Sequence, residues 1–392
     1  MVLIALPCVF AAEPPLTLDQ VLAKSKVSIT RLNIESALAD VRRQAKDASG
    51  FMRDSPSVSV VAGPRTNSVA PASTDQAIEI DAPLMLKREP ARQLTSLLDS
   101  VAAVLYNAAD LENSLAIHQA FLNAWLAERI ETIRAEDHIL VQIWLEISRT
   151  RSESGADPAF QLDLVRGELL KSRLDWEDAK RTRIQSWNVL KSLSELPERP
   201  QPLDYFLSKE VADISDLKTS DMVKLYQNGA LRRASIARQS LEMSRINLQA
   251  AVSDSRWSIS GSYAKENDDR ITKIGIAYKF PRSGELSAIR AEQRVRIETS
   301  KRNAELALAD LDLRFAAAIQ TVESNKSYSE SLDTAASLEA LTLRLKEGKD
   351  QPSDVIPIRR QFMEIRIAEL RRSHSLSFAY AELLTLTAGN MP

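Results

Sequence analysis

Few residues in this 392-residue chain combine the types and spacing that chemistry requires. The three histidines, His118, His138 and His374, are far apart in the sequence. No H-E-x-x-H pair and no cysteine cluster accompanies them, so local sequence assembles no zinc site. Each histidine reads as a packing or helix-surface residue. Cys8 is the single cysteine, which rules out an internal disulfide framework. No nucleophile stands beside a base. The expectation is therefore no enzyme, no cofactor and no resident metal. What remains is a set of polar residues at two Gly/Asp/Pro breaks, Ser154-Gly155-Ala156-Asp157-Pro158 and Glu347-Gly348-Lys349-Asp350-Gln351-Pro352. Gly155, Asp157, Gly348, Lys349 and Asp350 are candidates for contact with a partner at exposed turns. The plainer reading is turn geometry: glycine suits the left-handed position that ends a helix, and proline suits a first helical turn.

The breaks belong to a repeat. Each half of the chain runs long helix, two short alternating strands, very long helix, break, long helix. The strand pairs end at Pro83 and Pro281, about 200 residues apart, and Gly155 and Gly348 have nearly the same separation. The period is thus a whole subdomain and not a short solenoid unit. Expected boundaries are a signal peptide over 1–11, a first repeat over 12–196, a linker over 197–220 and a second repeat over 221–392. Within the first repeat, strands are expected at 55–63 and 76–83 and a helical hairpin at 87–196. Within the second, strands are expected at 256–264 and 272–280 and a hairpin at 285–386.

Strand assignment rests on a period of two. Val58, Val60 and Ala62 alternate with Ser57, Ser59 and Gly63; Ile78 and Ile80 alternate with Glu79 and Asp81. In the second half, Trp257, Ile259, Gly261 and Tyr263 alternate with serines, and Ile274, Ile276, Tyr278 and Phe280 alternate with Lys273, Gly275, Ala277 and Lys279. Such segments fit a membrane barrel with lipid on one face and water on the other. They equally fit a soluble hairpin with one face on a core. Two further observations favour the barrel. The apolar run Val2–Ala11, ending Ala11-Ala12, resembles a secretory signal, although no Lys or Arg precedes it. A lipid anchor on Cys8 is the sharper reading of that run; a cleaved peptide is the plainer one. In addition, no other large core is evident.

Composition agrees with a helical chain: 44% hydrophobic, 27% charged, only 10 glycines and 5% aromatic residues. A net charge of −2 gives no electrostatic case for nucleic acid. The stretches Lys87–Ser154 and Glu285–Glu347 almost lack helix breakers, and each would span on the order of 100 Å as helix. Apolar residues recur there at spacings of 3 and 4: Leu94, Leu98, Val101, Leu105, Ala108, and again Ala304, Leu308, Leu311, Phe315, Ala318, Val322. No stretch after the N-terminal run has the roughly 18 uncharged apolar residues of a membrane helix.

Together these features resemble the TolC family of outer-membrane efflux proteins. The passage Trp257-Ser-Ile-Ser-Gly-Ser-Tyr, then Gly275-Ile-Ala-Tyr-Lys-Phe-Pro and Gly284-Glu-Leu-Ser-Ala-Ile-Arg, is similar to that family's strand–strand–long-helix passage. A weaker copy ends at Pro83-Leu-Met-Leu-Lys-Arg, and Leu164-Val-Arg-Gly-Glu-Leu-Leu resembles the helix after the family's periplasmic turn. The details are similar to the CzcC-like branch that serves heavy-metal exporters. The resemblance implies a mainly α fold with a small β part, two repeats, and a homotrimer. Three copies would close a 12-stranded outer-membrane barrel continued by a periplasmic helical barrel. It also implies a periplasmic adaptor and an inner-membrane pump of the RND type as partners, with outer-membrane lipid around the strands. The protein would be a passive conduit for substrates, heavy-metal cations among them.

Family members narrow the periplasmic entrance with aspartates after the turn, and the matching position, six residues after Gly348, is Asp354. Threefold symmetry would make it a ring of carboxylates favouring cations. Where some relatives carry a second aspartate this chain has Pro357, which puts a two-ring gate in doubt. Asp163 is a weaker counterpart in the first half. The plainer reading is that Asp354 stabilises a helix start through the dipole. Trp257, Tyr263, Tyr278 and Phe280 are candidates for the membrane–water interface. Rival functions are a channel for drugs or type I secretion and, from another class, a soluble coiled-coil scaffold.

Overall fold

Helix starts and stops follow local chemistry. Thr17 caps the first helix with a reciprocal box: its hydroxyl accepts from the Gln20 amide, and its own amide donates to Gln20 Oε1 at 3.1 Å. Ser28 caps the next by accepting from the Thr30 amide at 3.1 Å. The computed structural model describes residues 14–50, 57–65, 73–84, 89–205, 219–254, 256–266, 269–280, 284–326 and 334–388. The run read as a signal, with Cys8, lies outside the described residues.

The first half contains β1 (Leu16–Thr17), α1 (Leu18–Ala23), α2 (Ile29–Ser49), β2 (Ser57–Arg65), β3 (Ser73–Pro83), α3 (Glu89–Glu153) and α4 (Ala159–Leu193). After β4 (Leu203–Asp204), the second contains α5 (Thr219–Gln227), α6 (Ala230–Asp254), β5 (Trp257–Glu266), β6 (Asp269–Tyr278), α7 (Glu285–Lys326), α8 (Thr334–Lys346) and α9 (Pro352–Thr387). The fold is mainly α with a small β part, as expected. Strand limits differ from the expected ones by a few residues. Residues 265–271, left between the expected strands, pair Glu266 with Asp269 and Lys265 with Arg270, so only residues 267–268 separate β5 from β6. Polar residues that read as turn therefore belong to the ladder.

The chain divides into two units. One comprises Ser28–Asp110 and Asn228–Asp312; the other comprises Met1–Val27, Leu111–Gln227 and Leu313–Pro392. The first unit holds an antiparallel four-stranded sheet in the order β2-β3-β5-β6. Its register places Val58, Ile80, Gly261 and Ile274 across one row, and Ala82, Ile259 and Ile276 across another. Period-two alternation thus puts most of the branched residues on one face, Val61 and Ile271 falling on the other. Among the described residues nothing covers the branched face: Val60 is 71% exposed and Ile274 83%. Strands β2 and β6 have no neighbour on their outer sides among the described residues. The helical stripe Leu94, Leu98, Val101, Leu105 and Ala108 is buried throughout.

The second unit is built on aliphatic and tryptophan clusters. One joins Leu16, Phe121, Trp187, Leu190 and Leu203; another joins Trp144, Val165, Leu345 and Val355. Residues 197–205, expected to begin a linker, are held within it. Strand β4 pairs in parallel with β1, the Leu203 amide donates to Glu128 Oε2 at 2.9 Å, and Trp187 Nε1 donates to the Pro197 carbonyl at 3.1 Å. The later stripe splits by depth: Leu311, Phe315, Ala318 and Val322 are buried, whereas Ala304 and Leu308 are half-buried.

Candidate functional site

The two breaks fold as matching turns. Gly155 and Gly348 both lie at φ +74°, a left-handed conformation costly for residues with a Cβ. In each, the following amide reaches back five residues: Ala156 to the Arg151 carbonyl at 2.8 Å, Lys349 to the Arg344 carbonyl at 3.0 Å. This is the six-to-one closure that satisfies carbonyls at a helix end.

Side chains then distinguish the turns. Asp157 is buried and accepts from Arg151 Nη2 at 2.6 Å. It offers a partner little surface, and Pro158 rather than Asp157 occupies the cap of α4. The Arg151 Nη1 donates to the Leu345 carbonyl at 2.6 Å, fastening the first turn to the second. The same nitrogen lies 3.4 Å from where a Cβ on Gly348 would stand, whereas Gly155 faces open space. Gln161 adds a second tie, donating to Gln351 Oε1 at 3.0 Å and accepting from the Ser353 amide at 3.1 Å. Asp350 takes a two-pronged bond from Arg344, 2.6 and 2.8 Å, and that guanidinium holds its carboxyl below the usual range. Lys349 pairs with Glu347 at 2.6 Å. Gly155, Gly348 and Lys349 are exposed.

Asp354 stands exposed in the first turn of α9. Its amide donates to the Gln351 carbonyl, and its carboxylate accepts from Ser353 Oγ at 3.3 Å. It has no ion pair among the described residues. Its first-half counterpart, Asp163, is neutralised by Arg166 at 3.0 Å. Helix α9 begins at Pro352 and runs through Pro357, which has no N–H for the Ser353 carbonyl.

Behind the turns lies a charge cluster that the sequence reading missed. Arg359, 3% exposed, donates to Asp137 and, at 2.7 Å, to Glu168; Arg360 also binds Glu168. Burial acts to raise the Glu168 carboxyl, but the two guanidiniums outweigh it and hold it below its usual value. The signal was present: Ile356, Met363 and Ile367 form a buried stripe, and Arg359 falls on it at helical spacing. The cluster ties α3, α4 and α9 together and offers no unpaired carboxylate.

The histidines sit apart. His138 lies between Ser172 Oγ and Gln142 Nε2, 3.1 Å from each, and stacks on Trp176. His374 is 3.0 Å from Asn123 Oδ1. His118 packs near Tyr205, and burial lowers its pKa to about 4. Among the described residues no three His, Cys, Asp or Glu side chains gather as metal ligands. No described helix is long and apolar enough to cross a membrane.

On the sheet, Trp257, Tyr278 and Phe280 form one aromatic group, with centroids 4.9 Å apart for the first pair and 5.0 Å for the second. Tyr263 lies six residues further along β5, about 20 Å at strand rise. Branched aliphatic residues fill the same face between these two levels. Sequence gave these residues a shared face; the register adds that they occupy two heights.

No family model matches the sequence, and no curated protein matches it. Solved structures do match. The CmeC outer membrane channel of Campylobacter jejuni superposes with a TM-score of 0.68 at 14% identity, covering 99% of this chain and 91% of that one. The outer membrane protein VceC of Vibrio cholerae gives 0.69 at 13%, covering 95% and 97%. The open MtrE outer membrane channel of Neisseria gonorrhoeae gives 0.62 at 16%, covering 95% and 88%. The chain has the fold of these channel proteins over nearly its whole length.

Proposed function

We propose that the protein is the outer-membrane channel of a tripartite efflux system and works as a homotrimer. The observation that carries this reading is the sheet of β2, β3, β5 and β6. It exposes branched aliphatic residues on one face, mainly polar and small residues on the other, and, among the described residues, two unpaired edges. Long open edges in a single chain call for pairing. Strand directions alternate, so β6 of one copy meets β2 of the next antiparallel. A head-to-tail contact of this kind closes as a ring. Three copies give twelve strands, lipid outside and water inside. The neighbours in fold are themselves outer-membrane channels.

In this reading the protein performs no reaction. A periplasmic adaptor and an inner-membrane pump of the RND type deliver cargo at the turns, where Gly155, Gly348 and Lys349 are exposed. Cations, heavy-metal cations included, are the preferred cargo, because Asp354 carries an unpaired carboxylate that three copies would gather into a ring. The test is recovery in outer-membrane fractions, size in detergent and conductance in planar bilayers. A detergent-independent monomer without conductance refutes the channel. Asp354→Ala should lower cation preference; unchanged selectivity leaves Asp354 as a helix-start residue only.

A further inference from the structure

The polar face of the sheet carries its charges in a pattern. One row across the four strands reads Ser59, Glu79, Ser262, Lys273 in direct register. Ser59 Oγ donates to Glu79 Oε2 at 3.5 Å, which places that carboxylate on the polar face. Glu79 and Lys273 are both exposed, and one uncharged strand separates them. Two strand spacings amount to about 10 Å, too far for an ion pair. The next row, Ser57, Asp81, Ser260, Gly275, has a single charge and a close approach: a Cβ on Gly275 would stand 3.3 Å from Ser260 Oγ. Further along the same face Gly63 pairs with Asp75 and Glu266 with Asp269, so acids are added there and the Glu79/Lys273 balance belongs to its own level.

We propose that Glu79 and Lys273 form a charge-balanced ring in the lumen of the assembled barrel, so that this level favours neither cations nor anions. This rests on the trimeric channel reading. In strand order, charge falls on the second and fourth strand of each copy, the first negative and the second positive. Closing β6 on the next β2 continues the count in strand order, with the stagger that strand tilt imposes on a closed barrel. The ring then carries a charge on every second strand, with sign alternating around six positions. Its net charge is zero. Because no neighbour is close enough to neutralise it, each group stays hydrated and acts on ions that pass. Discrimination by charge is left to other levels, the Asp81 row and the Asp354 carboxylates among them.

The test is the reversal potential of reconstituted channels across a gradient of potassium chloride. The dilute side should be near 0.01 M, where the screening length is about 30 Å. Parent channels carrying Asp354→Ala set the reference selectivity, to which the Asp81 row adds a constant cation preference. In that background Lys273→Glu makes all six positions negative and should shift selectivity severalfold towards potassium. Glu79→Lys should shift it severalfold towards chloride. The double exchange, Glu79→Lys with Lys273→Glu, should return it to the starting value. Glu79→Gln and Lys273→Gln, milder for folding, should move it in opposite directions by smaller amounts. Conducting channels whose selectivity ignores all these changes, or a double exchange that fails to restore balance, overturn the ring alone. Parent protein without conductance overturns the channel reading itself, and the ring with it.

Discussion

The turn at Gly155 and the turn at Gly348 share a backbone. Both glycines lie at φ +74°, and both turns close through an amide that reaches back five residues. Their ionic braces differ in depth. Asp157 and Arg151 are 3% and 15% exposed at the side chain, and Arg151 continues into the second turn. Arg344, which holds Asp350, is 58% exposed, and its bond stays within its own turn. Breaking a buried pair costs several kcal/mol because the remaining charge is stranded, whereas an exposed pair contributes little. Repeat symmetry therefore fixes the path of the chain, while burial decides which turn bears the structure and which is free to change.

The largest expected effect comes from removing the shared brace. Arg151→Ala strands the Asp157 carboxylate and leaves the Leu345 carbonyl with the Gly348 amide alone, and should destabilise by about 3–5 kcal/mol. Thermal unfolding in detergent measures it; a loss no greater than that of Arg344→Ala erases the distinction between the turns. Next is an acid effect that belongs to neither turn. His118 has a pKa of about 4 in the folded protein because burial disfavours its charged form. Its contribution is present above its ordinary value of 6.5 and is lost as pH falls towards 4. The loss should approach about 3 kcal/mol and should vanish in His118→Phe. Subtracting it exposes Asp350, whose lowered pKa keeps its contribution present above 3.8 and loses it only at more acid pH.

Smaller still are the glycine substitutions. Gly155→Ala should cost about 1 kcal/mol for its left-handed backbone alone. Gly348→Ala should cost more, because its Cβ also presses on Arg151. Equal losses in denaturant unfolding would mean that the guanidinium moves aside freely. The least effect is expected for Asp350→Asn, a loss near the limit of measurement. A large one would show that the second turn is braced as firmly as the first.

Much of this was legible in sequence for identifiable reasons. Period-two alternation at Ile274, Ile276 and Tyr278 depends on neighbours only two residues away, so it announced a strand and its face. The glycine–aspartate–proline breaks announced helix ends. Arg151 announced nothing: its partner carbonyl at Leu345 lies 194 residues away, and Arg149, Arg151 and Glu153 look like any solvated helix terminus. Asp157 resembled an exposed turn carboxylate for the same reason. Arg359 was legible in principle, as a charge on an apolar stripe, but its partners on α3 and α4 required the fold.

The open edges of β2 and β6 also bear on how the protein is made. A newly synthesised copy carries two adhesive borders and a greasy face with no proper place in water. Any strand it meets first, its own kind or not, can satisfy those borders. For the proposed trimeric channel, safe manufacture is thus a matter of timing: the sheet must stay unfinished or shielded until its neighbours and its solvent are both at hand. A copy that completes its strands early becomes a seed for precipitation instead of a part.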